Sequence, residues 1–316
     1  MKGLELARRY YEEVGRPAIE REVPEALGRM AAGLVGQGSE CFGFDDEYSR
    51  DHDFGPSFCL WVTREDYAKY GEALWHCYNS LPGEFAGFAA RKMTAEGQGR
   101  VGVLVIEDFY ERLTGRAQAP ERVKEWYALS ESGLATAVNG EVFEDNAGVF
   151  TRIRQGFCAY YPETVRRRKI AQAAALAAQA GQYNYARLMK RGERTAAVLA
   201  EHIFMEQAME LVYLLNRKYA PFYKWMHRGI GELSVLSDTG EWFSRLACLP
   251  MQDAAWESGK EDYRYGLNLA DEKVVCMETI SALLVQEFHR QGLSDVQDNY
   301  LEAHVGAILY TEGEEK

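Results

Sequence analysis

Two different spacings of apolar residues divide this chain, and the second replaces the first for good. Over the first 110 or so residues, strand-length apolar runs alternate with helix-length amphipathic segments; beyond residue 150 the text is helical almost to its end. Ala31–Gly36, Phe58–Val62 and Val101–Ile106 read as buried strands, with one more β-like piece at Gly140–Phe143. Leu4–Val14 and Pro17–Leu27 read as short helices. Thr63-Arg64-Glu65-Asp66 offers a capping box that opens a helix to about Ser80, stopped by Pro82. In the second half, Pro162 is placed as the first residue of a helix that runs through the alanine-rich stretch to Ala178, with Gly181 as its stop. Alanine there permits close helix packing. Further helices are expected over Arg187–Tyr219, Leu269–Arg290 and Ser294–Leu309. Strands confined to one part and helices following them define an α+β chain: a mixed sheet with helices over residues 1–150, then an all-α domain over 151–316.

A length of 316 residues is enough for two separate cores. The balance of 36 basic and 48 acidic side chains gives a net charge of −12, which argues against a protein that coats nucleic acid non-specifically, because that affinity is built from basic side chains displacing counterions. The six cysteines form no C-x-x-C pair, so neither a zinc ribbon nor a thioredoxin-type centre is indicated, and reduced thiols are expected. No stretch approaches a charge-free span of about 20 residues, and the first residues carry no apolar core of signal-peptide length. The expectation is a cytoplasmic protein with no membrane partner.

Chemistry concentrates between Gly38 and Phe54. A Gly38-Ser39 turn leaves a strand, and Asp51-His52-Asp53 leads towards the next one. In an extended chain alternate side chains share a face, so Asp51 and Asp53 are expected on one side, with His52 opposite in a structural role. Two hard carboxylates on one face suit Mg²⁺, which keeps water and phosphate oxygens in its other positions. Gly38 lets backbone approach a ligand, and the groups around Ser39 suit phosphate oxygens. Asp45, Asp46 and Glu47 are expected to be solvated loop residues, and Arg166-Arg167-Arg168-Lys169 a solvated helix face. In the helical half, Arg187 and Lys190 near Tyr183 and Tyr185, and Lys224 beside Trp225, place cations next to aromatic rings, a combination that suits a triphosphate and a base.

The Gly-Ser turn followed by Ser49-Arg50-Asp51-His52-Asp53 resembles the signature of the polymerase-β-like nucleotidyltransferase superfamily and, more distantly, its kanamycin- and streptomycin-type adenylyltransferases. The resemblance is tighter to an uncharacterised bacterial branch in which a nucleotidyltransferase domain precedes a helical domain of unknown function. It extends through Asn139–Asp145, Tyr160–Glu163, Gly181–Tyr185 and Tyr219–Trp225. That resemblance implies that Gly38 and Ser39 hold nucleotide phosphates and that Asp51 and Asp53 bind Mg²⁺. It further implies attack of an acceptor on the α-phosphate of a nucleoside triphosphate, ATP being favoured, with release of pyrophosphate. Members commonly supply a third carboxylate from a later strand; here Glu107 is favoured over Asp108 and Glu141, and its absence would point to nucleotide binding without turnover. The acidic charge favours a small-molecule acceptor over a long nucleic acid, with an RNA end as an alternative. Two other readings stand beside the enzyme: an inactive nucleotide-sensing or interaction protein of the same fold, and a toxin-antitoxin component.

Overall fold

Four strands form one sheet in the computed structural model: β1 (Met30–Leu34), β2 (Cys59–Val62), β3 (Gly102–Val105) and β4 (Glu141–Asp145). Their order is β3-β2-β1-β4. β1 runs antiparallel to both β2 and β4, and β2 runs parallel to β3. The structure describes residues 1–50, 53–91, 97–257 and 267–310, and the chain divides into two units, Met1–Tyr160 and Tyr161–Lys316.

In the first unit, α1 (Gly3–Tyr10) and α2 (Arg16–Glu22) are joined by a wide π-helical turn, Tyr11–Gly15. The two helices expected from the sequence are therefore one continuous rod, and Pro17 sits in the first turn of α2, where its missing N–H costs least. The second of them ends early, at Glu22, and passes into a 3₁₀ segment, Pro24–Arg29. α3 (Arg64–Ser80) opens as the sequence predicts, with the Thr63 hydroxyl accepting from the Asp66 N–H at 3.1 Å. α4 (Ile106–Thr114), α5 (Val123–Trp126), α6 (Glu131–Val138) and α7 (Val149–Cys158) complete the unit.

All four residues of β2 are buried, so both faces of the sheet need a cover. Leu60 and Val62 join Met30, Ala32 and Val103 on one face, packed against Tyr10, Tyr11 and Ile19 from the N-terminal rod and Leu74 and Cys77 from α3. Trp61 points to the other face, stacked on Phe150 of α7 at 4.1 Å and edge-on to Phe109 of α4 at 5.4 Å. Through Phe150, α7 belongs to this unit.

The second unit is helical: α8 (Glu163–Ala177), a π-helical stretch Ala178–Tyr185, α9 (Ala186–Lys190), α10 (Arg194–Leu215), α11 (Tyr223–Ile230), α12 (Thr239–Cys248), α13 (Glu272–Arg290) and α14 (Val305–Leu309). Four sequence expectations change here. Pro162 precedes α8 as its cap residue instead of opening it. Gly181 does not stop the helix; it lies inside the π stretch, where any Cβ would collide with the ring of Phe204, so its role is close helix approach. The break comes later, around Gly192, whose φ of 74° ends one helix before α10 begins, so the expected Arg187–Tyr219 helix is two. The chain over 294–300 is not helical: buried His304 holds it, with Nδ1 at 2.9 Å from the Ser294 hydroxyl and Nε2 at 2.8 Å from the Asp298 carbonyl.

Arg166 also departs from its expected solvated face. It is 1% exposed, donating Nε to the Leu214 carbonyl at the end of α10 (3.0 Å), with further contacts to Glu163 and Gln291. A cation there answers the orphan carbonyls and the negative end of the helix dipole. Among the described residues, no helix is long and apolar enough to cross a membrane. Trp61→Ala is expected to cost about 3–5 kcal/mol through the cavity it leaves, and Arg166→Ala about 3 kcal/mol through the buried partners it strands. Urea unfolding followed by tryptophan fluorescence for the first, and by circular dichroism for the second, checks both values.

Candidate functional site

Strand register decides which loops meet. Gly33 pairs with Cys59, Leu34 with Glu141, and Cys59 with Gly102, so the end of β1 and the starts of β2, β3 and β4 lie at one end of the sheet. The Gly-Ser turn, the approach to β2 and the approach to β3 therefore share that end. Asn139 braces it: its side-chain carbonyl accepts from the Gly36 N–H at 2.9 Å and its amide donates to the Gly36 carbonyl at 2.8 Å. Arg154 in turn donates to the carbonyls of Val138, Asn139 and Gly140. The Asn139-Gly140 pair singled out in the sequence thus fixes the position of the Gly-Ser turn.

Gly38 has a φ of 132°, a conformation that favours glycine, and a Cβ there would lie 2.5 Å from Oε2 of Glu40. The carboxylate of Glu40 occupies the space beside Gly38 that the sequence reading assigned to a ligand. Ser39 caps no N–H with its side chain, while its carbonyl accepts from the N–H groups of Phe42 and Phe44. Glu40 is buried, and burial pushes its carboxyl above the ordinary range in spite of Arg91, whose Nη1 lies 3.4 Å from Oε1. That same nitrogen donates to the Ser57 hydroxyl at 3.0 Å.

Asp53 is buried and has a φ of 51°. The expected alternation of faces across Asp51 and Asp53 needs extended backbone, and at Asp53 the backbone is left-handed instead, six residues before β2 starts. Asp51 and His52 lie outside the described residues. The Asp53 carboxylate takes Nη1 of Arg100 at 3.4 Å and packs against Gly97 so closely that any Cβ at 97 would collide with it. Asp45, expected in solvent, is 1% exposed and accepts from the Gly3 N–H at 2.9 Å, which satisfies the start of α1. Asp46 is exposed as expected, and its carboxylate accepts from the N–H groups of Tyr48 and Ser49.

Glu107 does not join this group. It follows β3, which runs parallel to β2, and so lies at the far end of the sheet, on the order of 10 Å of strand away from the Asp53 end. There Oε2 accepts from the Arg64 N–H at 3.1 Å, completing the cap of α3, while neighbouring Asp108 pairs with Arg64. Of the three third-acid alternatives, Glu141 alone is at the Asp53 end, half exposed and bonded to Arg8 at 2.6 Å. Glu40 and Arg91 went unnoticed in the sequence because nothing local marks them; for Arg100 the glycines just before it, Gly97 and Gly99, were the available signal. Among the described residues, no group of three or more His, Cys, Asp or Glu side chains gathers as a metal site.

Arg187 lies over the Tyr183 ring at 4.7 Å and donates to its hydroxyl. Lys190 is exposed at the end of α9, and Lys224 lies 5.0 Å from the Trp225 ring at the start of α11.

A family model described as a domain of unknown function (DUF4037) matches residues 126–226. That span contains Asn139-Gly140, Gly181–Tyr185 and Tyr219–Trp225, and does not reach Gly38, Ser39 or Asp53. No curated protein and no solved structure matches the chain.

Since the folded protein holds the Glu40 carboxyl above its unfolded value of 4.5, its contribution to stability is fully present below pH 4.5 and is lost as pH rises through the raised value. Glu40→Gln is therefore expected to remove that loss, so that the Tm difference between variant and wild type moves in the variant's favour from pH 4.5 to 7.5. Differential scanning calorimetry across that interval checks the sign.

Proposed function

We propose that the chain is a Mg²⁺-dependent nucleotidyltransferase that moves a nucleoside monophosphate from a nucleoside triphosphate, ATP being favoured, to a small-molecule acceptor, releasing pyrophosphate. The observation that carries this reading is the convergence of the Gly38-Ser39 turn and the buried Asp53 carboxylate at one end of the sheet. Asp53, with Asp51 from the same motif, would hold Mg²⁺, whose preference for hard oxygen donors fits carboxylates. When bound, the ion would offset charge on the phosphate oxygens. The Gly38-Ser39 turn would orient the phosphates. Glu107 has no part in this scheme, since it closes α3 at the other end of the sheet.

Pairing of Asp53 with Arg100 and of Glu40 with Arg91 favours a second reading, a nucleotide-binding protein without turnover, because acids neutralised internally hold a metal weakly. One experiment separates the two. ATP with Mg²⁺ at about a hundred times its dissociation constant should stabilise the wild type by about 2.7 kcal/mol, a rise of several degrees in Tm, and Asp53→Asn should abolish the metal-dependent part. Pyrophosphate release over a panel of small acceptors supports transfer. Nucleotide binding with no release over that panel supports the second reading, and no binding of any nucleotide excludes both.

A further inference from the structure

Arg91 and Arg100 are held in an unusual way. The Arg91 side chain is 7% exposed, a position in which a guanidinium loses several kcal/mol of hydration unless its donors are answered. Among the described residues, only Nη1 of its nitrogens has an acceptor, and it is shared between Ser57 and a 3.4 Å contact to Glu40. Nε is buried with no acceptor among those residues. Arg100 repeats the pattern: Nη1 lies 3.4 Å from Asp53, and Nε is buried without a partner among the described residues. A guanidinium well matched to a carboxylate makes two parallel bonds of about 2.7–2.9 Å; neither pair does so. Arg91 reaches Glu40 and Ser57, and the Arg100 carbonyl accepts from the Cys59 thiol at 3.2 Å, so both arginines lie at the end of the sheet that carries Gly38 and Ser39.

We propose that Arg91 and Arg100 form a binding site for a di- or triphosphate chain, in which the arginines exchange the carboxylates of Glu40 and Asp53 for phosphate oxygens. A phosphate chain supplies several acceptors on one flexible backbone, which suits a buried and a half-buried guanidinium, each with a spare Nε donor. Burial excludes a duplex nucleic acid. The exchange takes one positive partner from each of Glu40 and Asp53, and a divalent cation would restore the balance. Cation and phosphate chain therefore assist each other, and by linkage each raises the other's affinity by the same factor. The cation half of this scheme rests on the proposed nucleotidyltransferase reading; the anion half stands without it.

Inorganic tripolyphosphate is the probe, titrated calorimetrically into the full chain with and without Mg²⁺. The wild type is expected to bind it weakly alone and at least about tenfold more tightly with Mg²⁺. Arg100→Gln is expected to weaken binding about tenfold or more in both conditions, and Arg91→Lys, which keeps the charge and loses the Nε donor, to weaken it less. Asp53→Asn gives the sharpest signature: it frees Arg100, so metal-free binding tightens while the Mg²⁺ enhancement disappears. Circular dichroism confirms that each variant is folded. Absence of tripolyphosphate binding in the wild type under both conditions overturns the proposal, as does equal binding by wild type, Arg100→Gln and Arg91→Lys. Tripolyphosphate binding with this variant pattern, but no pyrophosphate release from any nucleotide, would sink the transferase reading and leave the anion site standing.

Discussion

Everything in the first unit follows from burying both faces of β2. Four consecutive apolar side chains cannot be covered by one layer, so the N-terminal rod and α3 close one face while α4 and α7 close the other through Phe109 and Phe150. β1 returns antiparallel to β2, and β3 runs parallel to it. That pairing carries the Gly-Ser turn and the Asp53 segment to one end and sends Glu107 to the other. The chemistry of the site is in this sense set by packing some way from it.

Among the described residues, the buried acids at the Asp53 end are answered by partners within the protein. Glu40 faces Arg91, Asp53 faces Arg100, and Asp45 meets the Gly3 N–H with Lys2 nearby. Buried charges arranged this way are costly to break singly and add little to stability as a set. They hold the loops in a defined arrangement at small net gain, and a ligand that offers better-matched partners has little stability to overcome.

The strands, α3 and its cap were legible because each rests on a local signal: a short apolar run, or Thr63 three residues ahead of Asp66. Long-range partners were not. Gly181 looks like a helix stop in sequence and proves to be a contact surface for Phe204, a role that only the packed partner reveals. Arg166 reads as one of four solvated cations and is instead the one that reaches the end of α10. In the site, Gly38, Ser39 and Asp53 were visible as a motif, and the alternation argument failed at Asp53 because a left-handed residue interrupts the strand approach. Glu107 was misplaced for a topological reason: a residue just past a parallel strand lies at the opposite end from one just before it. Arg91 and Arg100 had no motif to mark them, since their partners are about 50 residues away along the chain.

The bracing of Gly36 by Asn139 sets the two ends of the sheet apart. At the Arg64 end, loops are tied by helix caps next to backbone ladders. At the Asp53 end, a single side-chain amide takes the place of one more rung of the β1–β4 ladder. A rung made by a side chain is released by one rotamer change, at a cost of two neutral hydrogen bonds, about 1–3 kcal/mol in all. The Gly36 amide thus has an opening free energy of its own, below that of the strand it follows, and its proton should exchange with solvent ahead of those in the strands.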